Sequence, residues 1–281
     1  MTALVIGGTG TTGRRLVDLL RGTTDLRVAT RTPTTAEHVR FDWHDPATHA
    51  PALRGVDRAY LVPPPGTTDP VPLVAPFLAL GGLRRVVLLG SSAVEESDTG
   101  LGALPRLVRS AVPEWTVLRP SWFMQNFTGD HLLARGLRAT GEIVTATGDG
   151  RVAFVDAGDI AAVAARALTD PEPHDTDHVI TGPEALSYAD AAEVVTRIAG
   201  LPARHRSVSE EALTDRLADS GVPLDFARVL AGLDEAIRHG AEDRVTDTVP
   251  SVTGRPARTF GEVVAAHRDD FTPAARPPGR R

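Results

Sequence analysis

The chain opens with a glycine-rich turn between a short apolar run and an amphipathic run, in the stretch ALVIGGTGTTGRRLVDLL. The small and hydroxyl-bearing residues of this turn are Gly7, Gly8, Gly10 and Gly13 together with Thr9, Thr11 and Thr12. A strand that enters such a turn leads directly into a helix, whose free N–H groups and partial positive charge attract phosphate. The glycine spacing lets the main chain approach a pyrophosphate closely. The turn therefore predicts a bound dinucleotide, and a turn that only packs the helix on the strand is the alternative.

Short apolar runs alternate with helical runs along the first 120 residues. The predicted strands are ALVIG, LRVAT, VRFDW, RAYLV, RRVVLLG and WTVLRP. Apolar strands separated by helices favour a parallel sheet covered on both faces, and right-handed crossovers then give a doubly wound order. We therefore expect an α/β protein with a Rossmann-type doubly wound parallel sheet, its NAD(P)-binding domain spanning residues 1–120.

The pattern becomes mostly helical beyond the sixth predicted strand. Residues 121–270 are predicted to form a smaller, mostly helical C-terminal substrate lobe, with part of 140–170 returning to the first domain. Within the lobe, SWFMQNFTGDHLLARGL is typical of a helix and GEIVTATGDGRVAFV of strands around a glycine turn. AGDIAAVAARALTD predicts a helix with Asp159 as its N-cap. Residues 271–281, rich in proline and arginine, are expected to fray.

An arginine follows the second predicted strand, where many dinucleotide sites carry an acid. In NAD-selective sites an Asp or Glu at this point accepts hydrogen bonds from the adenosine ribose. This sequence has Thr30 and Arg31 there, and a guanidinium can pair bidentately with a 2′-phosphate that an acid would repel. NADP(H) is therefore favoured over NAD(H), and a solvated arginine without a ligand is the alternative.

Further cofactor contacts are expected where the other strands end, because ligands of open parallel sheets lie outside the carboxyl ends of the strands. The residues at those ends are Asp42, Trp43, Val62, Pro63, Pro64, Ser91 and Pro120. Asp42 and Trp43 are placed to flank the adenine, although a Trp43 that simply packs in the core is an equal alternative. The prolines suit either a stiff loop beside the nicotinamide or a rigid connector.

Composition excludes several classes of site. A net charge of -6 without a basic run gives no footprint for nucleic acid or an anionic membrane. Because no apolar run is long enough to cross a bilayer, a cytoplasmic protein is expected. The sequence has no cysteine, and the pairs His44–Asp45 and His174–His178 have no further ligand cluster nearby. No metal site is predicted.

The sequence contains no lysine, so all 30 basic residues are arginines. A Schiff base and a P-loop lysine are therefore excluded. The two tyrosines are Tyr60 and Tyr188, and neither has a lysine to help it lose its proton. The Tyr–Lys pair of the familiar short-chain dehydrogenases is excluded as a mechanism.

Longer blocks of the chain resemble one family. GGTGTTGRRL, WTVLRPSWFMQNF and FVDAGDIAAVAARAL are similar to the NmrA-like family of atypical short-chain dehydrogenase/reductases. VITGPEALSYADAAEVV and TDTVPSVTGRPARTFGEVVAAH resemble its subgroup of ergot-alkaloid reductases. The resemblance runs over nearly the whole chain and implies a Rossmann domain with a small substrate lobe. It also implies binding of NADP(H) or NAD(H), with reduction of quinones, iminium ions or activated double bonds, or redox sensing without turnover.

The resemblance also assigns residues. The family's phosphate loop corresponds to Gly7, Thr9, Gly10, Thr11, Thr12 and Gly13, and its 2′-phosphate arginine to Arg31. The segment that lines the family's substrate cleft corresponds to Trp122, Phe123, Met124, Asn126 and Phe127. Family members often carry a His or Glu before the LRP strand, where this chain has Pro105 and Arg106. The resemblance therefore supplies no acid catalyst from that helix.

The segment after the LRP strand supports two interpretations from its residues alone. On a helix, Phe123 and Phe127 share a face, with Trp122 and Asn126 beside them. Such an aromatic stripe is typical of a core. Its position directly after the carboxyl end of a strand is equally typical of a ligand cleft, where Asn126 is the polar group to expect.

Three functions fit these observations. The first is an NAD(P)H-dependent reductase, placed in secondary metabolism, of a small organic electrophile such as an imine, iminium ion, quinone or activated double bond. Because an iminium ion already carries positive charge, its reduction needs no protein acid. Where a proton donor is needed, Ser91 and Ser92 are the candidates, and turn formation or helix capping is their alternative role. The other two functions are an NAD(P)-binding redox sensor without turnover and a non-redox cyclase. The expected partner is a small-molecule substrate, and the oligomeric state is left open.

Overall fold

The computed structural model describes residues 1–272. The strands are β1 (Thr2–Ile6), β2 (Asp25–Thr30), β3 (His38–Arg40), β4 (Arg58–Leu61), β5 (Arg85–Leu89), β6 (Glu114–Pro120), β7 (Glu142–Thr145), β8 (Arg151–Val152), β9 (Thr176–Ile180), β10 (Leu186–Ser187) and β11 (Arg204–Ser207). The helices are α1 (Gly13–Leu20), α2 (His49–Leu53), α3 (Val71–Leu78), α4 (Leu104–Ala111), α5 (Leu132–Thr140), α6 (Ala157–Thr169), α7 (Tyr188–Ala199), α8 (Glu210–Asp219), α9 (Leu224–Arg238), α10 (Thr248–Thr253) and α11 (Phe260–Ala266). None of the helices within these residues is long and apolar enough to span a membrane.

The predicted frayed tail lies almost entirely outside the described residues. Its first residue, Phe271, ends a short 3₁₀ helix and is 2% exposed. The prediction that fraying begins at residue 271 is therefore wrong for Phe271, because its ring belongs to an apolar core.

Seven parallel strands form one sheet in the order β3-β2-β1-β4-β5-β6-β9. The chain runs outward from β1 to β3, returns beside β1 as β4, and then continues in the other direction. This is the doubly wound order that the sequence predicts. Val5 of β1 pairs with Val28 of β2 on one side and with Tyr60 of β4 on the other. The loop after β1 therefore lies where the strand order reverses, which is the usual ligand position in such sheets.

The structure divides into two compact units. Unit 1 comprises Met1–Ser121, Ala157–Ile180 and Thr246–Pro256, and it holds the seven-stranded sheet. Unit 2 comprises Trp122–Asp156, Thr181–Val245 and the described residues from Ala257 onward.

The core of unit 1 forms between the sheet and its helices. Helix α1 buries Gly13, Leu16, Val17 and Leu20, whose spacings of three and four residues place them on one face. Arg85 of β5 is 1% exposed, and its Nε donates to the Glu114 carboxylate at 2.7 Å. Its Nη1 donates to carbonyl oxygens at the end of α6, including that of Asp170 at 2.6 Å. The buried cation is thus neutralised by a carboxylate and by the negative end of a helix.

Unit 2 is built from five helices and two small two-stranded sheets within the described residues. Strand β7 pairs with β11 in parallel, and β8 pairs with β10 antiparallel. The stretch GEIVTATGDGRVAFV therefore forms strands as predicted, but the two strands pair with other partners rather than with each other. An apolar core holds the unit together, and in it Phe127 packs edge to face on Phe154 and on Phe260.

Two predicted helices begin at different residues in the structure. The segment after β6 forms a 3₁₀ turn over Met124–Phe127, and α5 begins only at Leu132. The long α6 helix begins at Ala157, so Asp159 lies in its first turn and not at its N-cap. An acid in the first turn still complements the helix dipole.

Candidate cofactor and substrate sites

The glycine turn after β1 is packed so tightly that side chains cannot be added to it. A Cβ on Gly13 would lie 2.1 Å from the carbonyl oxygen of Gly7, and one on Gly8 would lie 2.5 Å from Val28. Gly7 has a φ of 71°, which favours glycine. The turn is closed by a 2.8 Å bond from the Gly10 amide to the Gly7 carbonyl. The packing therefore requires glycine at these positions, and the glycines leave the main chain of the turn without Cβ atoms.

The start of α1 offers hydrogen-bond donors beside this turn. The Thr12 and Gly13 amides donate to no acceptor within residues 1–272, while the Arg14 amide already bonds to Gly10. Thr9 and Thr11 are exposed beside them. Free amides at a helix N-terminus behind a bare glycine turn fit the diphosphate of a dinucleotide.

Thr12 has a different position from the one predicted. It is 4% exposed, and its Oγ1 accepts a 2.9 Å hydrogen bond from the Tyr60 hydroxyl. Its hydroxyl is therefore committed to the interior. Of the three threonines that the resemblance assigns to the phosphate loop, Thr12 therefore has its hydroxyl in the interior. The phosphate contacts of Thr9 and Thr11 stay predictions.

Arg31 lies directly after the carboxyl end of β2, at the same sheet edge as the glycine turn. Its side chain is exposed, and no ion pair or hydrogen bond holds it within the described part of the chain. Thr30 is half-buried and its Oγ1 accepts from the Thr32 amide at 3.3 Å. The guanidinium of Arg31 is thus available to a ligand, as the interpretation as a 2′-phosphate site requires.

Trp43 belongs to the core of unit 1. It is 7% exposed, packs edge to face on Phe41 and Phe77, and donates through Nε1 to the Val62 carbonyl at 3.2 Å. The prediction that Trp43 flanks the adenine is therefore corrected, and the packing alternative describes it. Asp42 is half-buried, with Oδ1 accepting from the amide of His44 at 2.9 Å.

The loop after β4 supports the glycine turn from behind. The Val62 side chain would meet a Cβ on Gly7 at 3.3 Å, and Val62 also accepts the Trp43 bond. Pro63 is half-buried and Pro64 is buried. These contacts favour the rigid-connector interpretation of the prolines. Their place beside a nicotinamide stays a prediction.

The serines after β5 continue the ladder with β6. The Ser92 amide donates to the Pro120 carbonyl at 3.0 Å, and both residues are buried. Ser91 is half-buried, and its Oγ accepts from the Ala93 amide at 3.2 Å. Turn formation, the alternative role, thus describes Ser91, and its role as proton donor stays a prediction.

The aromatic segment after β6 is split between core and surface. A 3₁₀ helix has three residues per turn, so Met124 and Phe127 share a face, and both are 1% exposed in the core of unit 2. Phe123 precedes the turn and is half-buried. The predictions that Phe123 and Phe127 share a face, and that Met124 and Phe127 line a substrate site, are therefore wrong. Trp122, Phe123 and Asn126 remain candidates.

A cavity of about 140 Å³ lies inside unit 2, and Trp122 and Asn126 line it. Its walls come chiefly from α5, β7, α8 and α9, and six of the sixteen lining residues are leucines. Polar side chains that the sequence did not single out for this site also line it, among them His131, Tyr188 and Asp234. An apolar cavity with a few convergent polar groups is the usual form of a small-molecule site.

Asp234 is the buried acid of this cavity. It is 9% exposed, and its Oδ2 accepts a 3.0 Å bond from the Ala146 amide. Burial raises the pKa of Asp234 to about 6, against the opposing effect of that amide. The Asp234 charge in turn adds to burial in raising the pKa of Tyr188. The two groups therefore lie within electrostatic reach of each other.

Comparison with known proteins shows the family to which this chain belongs. The chain is 47% identical over 277 residues to the uncharacterized oxidoreductase YesF of Bacillus subtilis (strain 168), with 96% of each protein covered. It is 36% identical over 283 residues to agroclavine dehydrogenase of Claviceps fusiformis, covering 96% of this chain and 98% of that protein. The chain belongs to the NmrA-like family of atypical short-chain dehydrogenase/reductases. No protein-family model matches it.

Solved structures share the fold of these NmrA-like proteins. Triphenylmethane reductase of Citrobacter sp., complexed with NADP(H), has a TM-score of 0.78 at 23% identity and covers 95% of this chain and 100% of that one. An NADPH-dependent quinone oxidoreductase of Escherichia coli, complexed with NADPH, has a TM-score of 0.78 at 22% identity, covering 95% and 99%. The relatives support an enzyme, an oxidoreductase with a Rossmann-type sheet.

One signal in the sequence could have located the acid of the cavity in this NmrA-like chain. Ala227, Ala231, Asp234 and Ile237 recur at helical spacing and are the buried face of α9. An acid at an apolar position of such a stripe needs either a partner or a function.

His174 and His178, which the sequence analysis singled out, form a hydrogen-bonded row with Asp170 in unit 1. His174 Nδ1 lies 2.9 Å from His178 Nε2, and His174 Nε2 lies 3.1 Å from the Asp170 carboxylate. Burial and the neighbouring His174 lower the pKa of His178 to about 4. Within residues 1–272, no group of three or more His, Cys, Asp or Glu side chains has the arrangement of a metal site.

Proposed function

We propose that this protein is an NADPH-dependent reductase of a small organic electrophile. The observation that carries the proposal is the glycine turn after β1, where the Thr12 and Gly13 amides donate to no acceptor within residues 1–272. Such a bare turn next to the free amides of α1 suits a diphosphate. The relatives, which are oxidoreductases and reductases, support a redox role for the dinucleotide.

The preference for NADPH over NADH is part of this proposal and rests on Arg31. A free, exposed guanidinium at the end of β2 offers a bidentate, charge-assisted contact to a 2′-phosphate. Such a bond contributes about 1.5–3 kcal/mol, so about ten- to hundredfold discrimination is expected. The NADP(H) and NADPH bound by two structural neighbours agree with the proposal.

A bound nicotinamide would supply the hydride. This chain contributes binding and exclusion of water, since it has no lysine and both tyrosines are buried. Such a protein suits electrophiles that need little help from a protein acid. Iminium ions carry their own positive charge, and quinones can take their second proton from solvent. These two classes are therefore the proposed substrates, ahead of activated double bonds.

The test measures oxidation of NADPH by the purified chain against a panel of quinones, imines and iminium salts. Wild type is expected to turn over at least one class. Gly13→Ala is expected to lose cofactor binding, because its Cβ collides with backbone that cannot yield. Gly232→Ala in α9, whose Cβ has 3.6 Å of room, is the matched control and should match wild type.

The outcomes also separate the two other functions. Tight binding of NADPH without turnover of any substrate would indicate a redox sensor. Product formation that does not require the dinucleotide would indicate a non-redox cyclase. Either result would overturn the reductase proposal.

A further inference from the structure

The cavity of unit 2 contains a buried acid whose second oxygen has no protein partner. We propose that this cavity binds a small organic ammonium ion, a protonated amine on an apolar ring, with the Asp234 carboxylate as its counter-ion. The inference concerns binding in unit 2. It rests on the proposed reductase function only for whether this ligand is also the substrate.

The size of the cavity and its apolar walls determine how large the apolar part of the ligand can be. Its volume is about 140 Å³, which is about the volume that holds one benzene ring in a protein core. The walls include Leu133, Val144, Leu213 and Leu230. A single ring or the ring end of a larger molecule therefore fits.

The hydrogen bonds of Asp234 leave one oxygen for a ligand. Oδ2 accepts from the Ala146 amide at 3.0 Å, and within residues 1–272 no bond or ion pair reaches Oδ1. The Asp234 side chain lines the cavity although the residue is 9% exposed. A carboxylate buried in apolar surroundings without a cation is costly, and a cationic ligand would remove that cost.

The arginine one helical turn beyond Asp234 does not neutralise it. Arg238 donates from Nε to the Ala146 carbonyl oxygen at 2.8 Å and pairs with Glu235 at 3.1 Å. Ala146 thus joins the two side chains, its N–H donating to Asp234 and its carbonyl oxygen accepting from Arg238. The guanidinium is committed to that carbonyl oxygen and to Glu235.

The other charged groups at the cavity do not neutralise the Asp234 carboxylate. Glu142 pairs with the exposed arginines Arg204 and Arg206, at 2.7 and 3.1 Å. Arg216 lines the cavity but is exposed, so water screens it. Burial lowers the pKa of His131, and its Nδ1 accepts from the Leu133 amide, so this ring is neutral near pH 7.

Two aromatic side chains favour a cation over a neutral polar group. Trp122 and Tyr188 both line the cavity, and aromatic rings attract ammonium ions. Because the pKa of Asp234 is about 6, the carboxyl group is mostly ionised at neutral pH. An anionic ligand would be repelled, and a neutral one would leave the carboxylate unpaired.

The experiment compares two ligands of the same shape and different charge at neutral pH. N,N-dimethylbenzylamine is protonated, and isobutylbenzene is its neutral counterpart. Calorimetry on the full chain is expected to show tighter binding of the amine. Asp234→Asn should weaken amine binding about tenfold or more while leaving isobutylbenzene unchanged. Asp225→Asn, an exposed aspartate on the same helix, is the control and should change neither.

Each other outcome overturns the inference. Folded wild type that binds the two ligands equally, or binds neither, contradicts it without any variant. Equal loss of both ligands in Asp234→Asn would make Asp234 a structural residue. The comparison of the two ligands also tests this inference separately from the reductase proposal. Amine binding that depends on Asp234 without NADPH turnover refutes only the reductase, and turnover without such binding refutes only this inference.

Discussion

Tyr60 of β4 donates its hydroxyl hydrogen to Thr12 Oγ1 at 2.9 Å, directly beneath the glycine turn. Tyr60 is fully buried and Thr12 is 4% exposed. Burial raises the pKa of the Tyr60 phenol, so it stays neutral. The contact joins the strand beside β1 to the first residue before α1. It holds the turn in place, and the phenol is not poised to give a proton to a substrate.

We predict that Tyr60→Phe lowers the free energy of unfolding by about 1–3 kcal/mol, because the buried Thr12 hydroxyl loses its partner. The kcat for NADPH-dependent reduction should stay within about threefold of wild type. Urea unfolding and steady-state kinetics check the two values. A fall in kcat of about a hundredfold at unchanged stability would instead indicate a general acid.

The sheet could be predicted from sequence because local signals decide it. Apolar strands, helices between them and the glycines at the β1 turn all point to the same doubly wound order. Local signals do not decide which face of a short turn is buried. Phe123 and Phe127 would align on an α-helix, but the 3₁₀ turn aligns Met124 with Phe127. The apolar core around Phe154 and Phe260 selects the 3₁₀ turn, and these two residues are distant in sequence from that turn.

Arg31→Ala is predicted to weaken NADPH about ten- to hundredfold and to leave NADH nearly unchanged. Its exposed guanidinium has no partner in residues 1–272 that its loss would disturb. Calorimetric titration with both nucleotides measures the effect. Arg21→Ala at the other end of α1, where an exposed arginine pairs with Asp18 and Glu37, is the control and should change neither affinity. Equal losses for NADPH and NADH would mean that Arg31 is structural.

Phe127→Ala is predicted to act mainly on stability, and Phe123→Ala mainly on substrate selectivity. Phe127 is 1% exposed, with ring centroids of Phe260 and Phe154 at 4.8 and 5.2 Å. Its truncation should cost about 3–5 kcal/mol of stability. Phe123 is half-buried, so its truncation should cost less than about 1 kcal/mol and should change selectivity among the substrate panel. Thermal unfolding and relative kcat/KM values report the two effects, and a large loss of stability in Phe123→Ala would assign that ring to the core.

The acid of the unit 2 cavity shows where sequence reasoning ends. Asp234 is brought to Trp122, Asn126 and Tyr188 only by the tertiary packing of α9. These contacts join residues up to about a hundred positions apart, and no local pattern encodes them. The helical spacing of the buried face of α9 shows that Asp234 is inside, but not what it faces.

The stability of the protein should record the burial of Asp234 as a dependence on pH. Burial raises its pKa from an ordinary value of 3.8 to about 6 in the folded chain. The stabilising contribution of the neutral acid is complete below about pH 3.8 and is lost as pH rises through about 6. His131, Tyr188, Glu142 and Arg216 line the same cavity. They are present in wild type and variant alike, so the comparison isolates the change at Asp234 and its effect on them.

Asp234→Asn is therefore predicted to be more stable than wild type at pH 7.5 and to lose that advantage near pH 4. A shift of about two pKa units corresponds to about 2–3 kcal/mol between these limits. The change in denaturation midpoint with pH measures it, with Asp225→Asn as a control that should follow wild type. Parallel profiles for wild type and Asp234→Asn would show that the carboxyl group is not buried as the structure has it. A variant that gains stability while losing affinity for an amine would show that the carboxylate serves binding at the expense of folding.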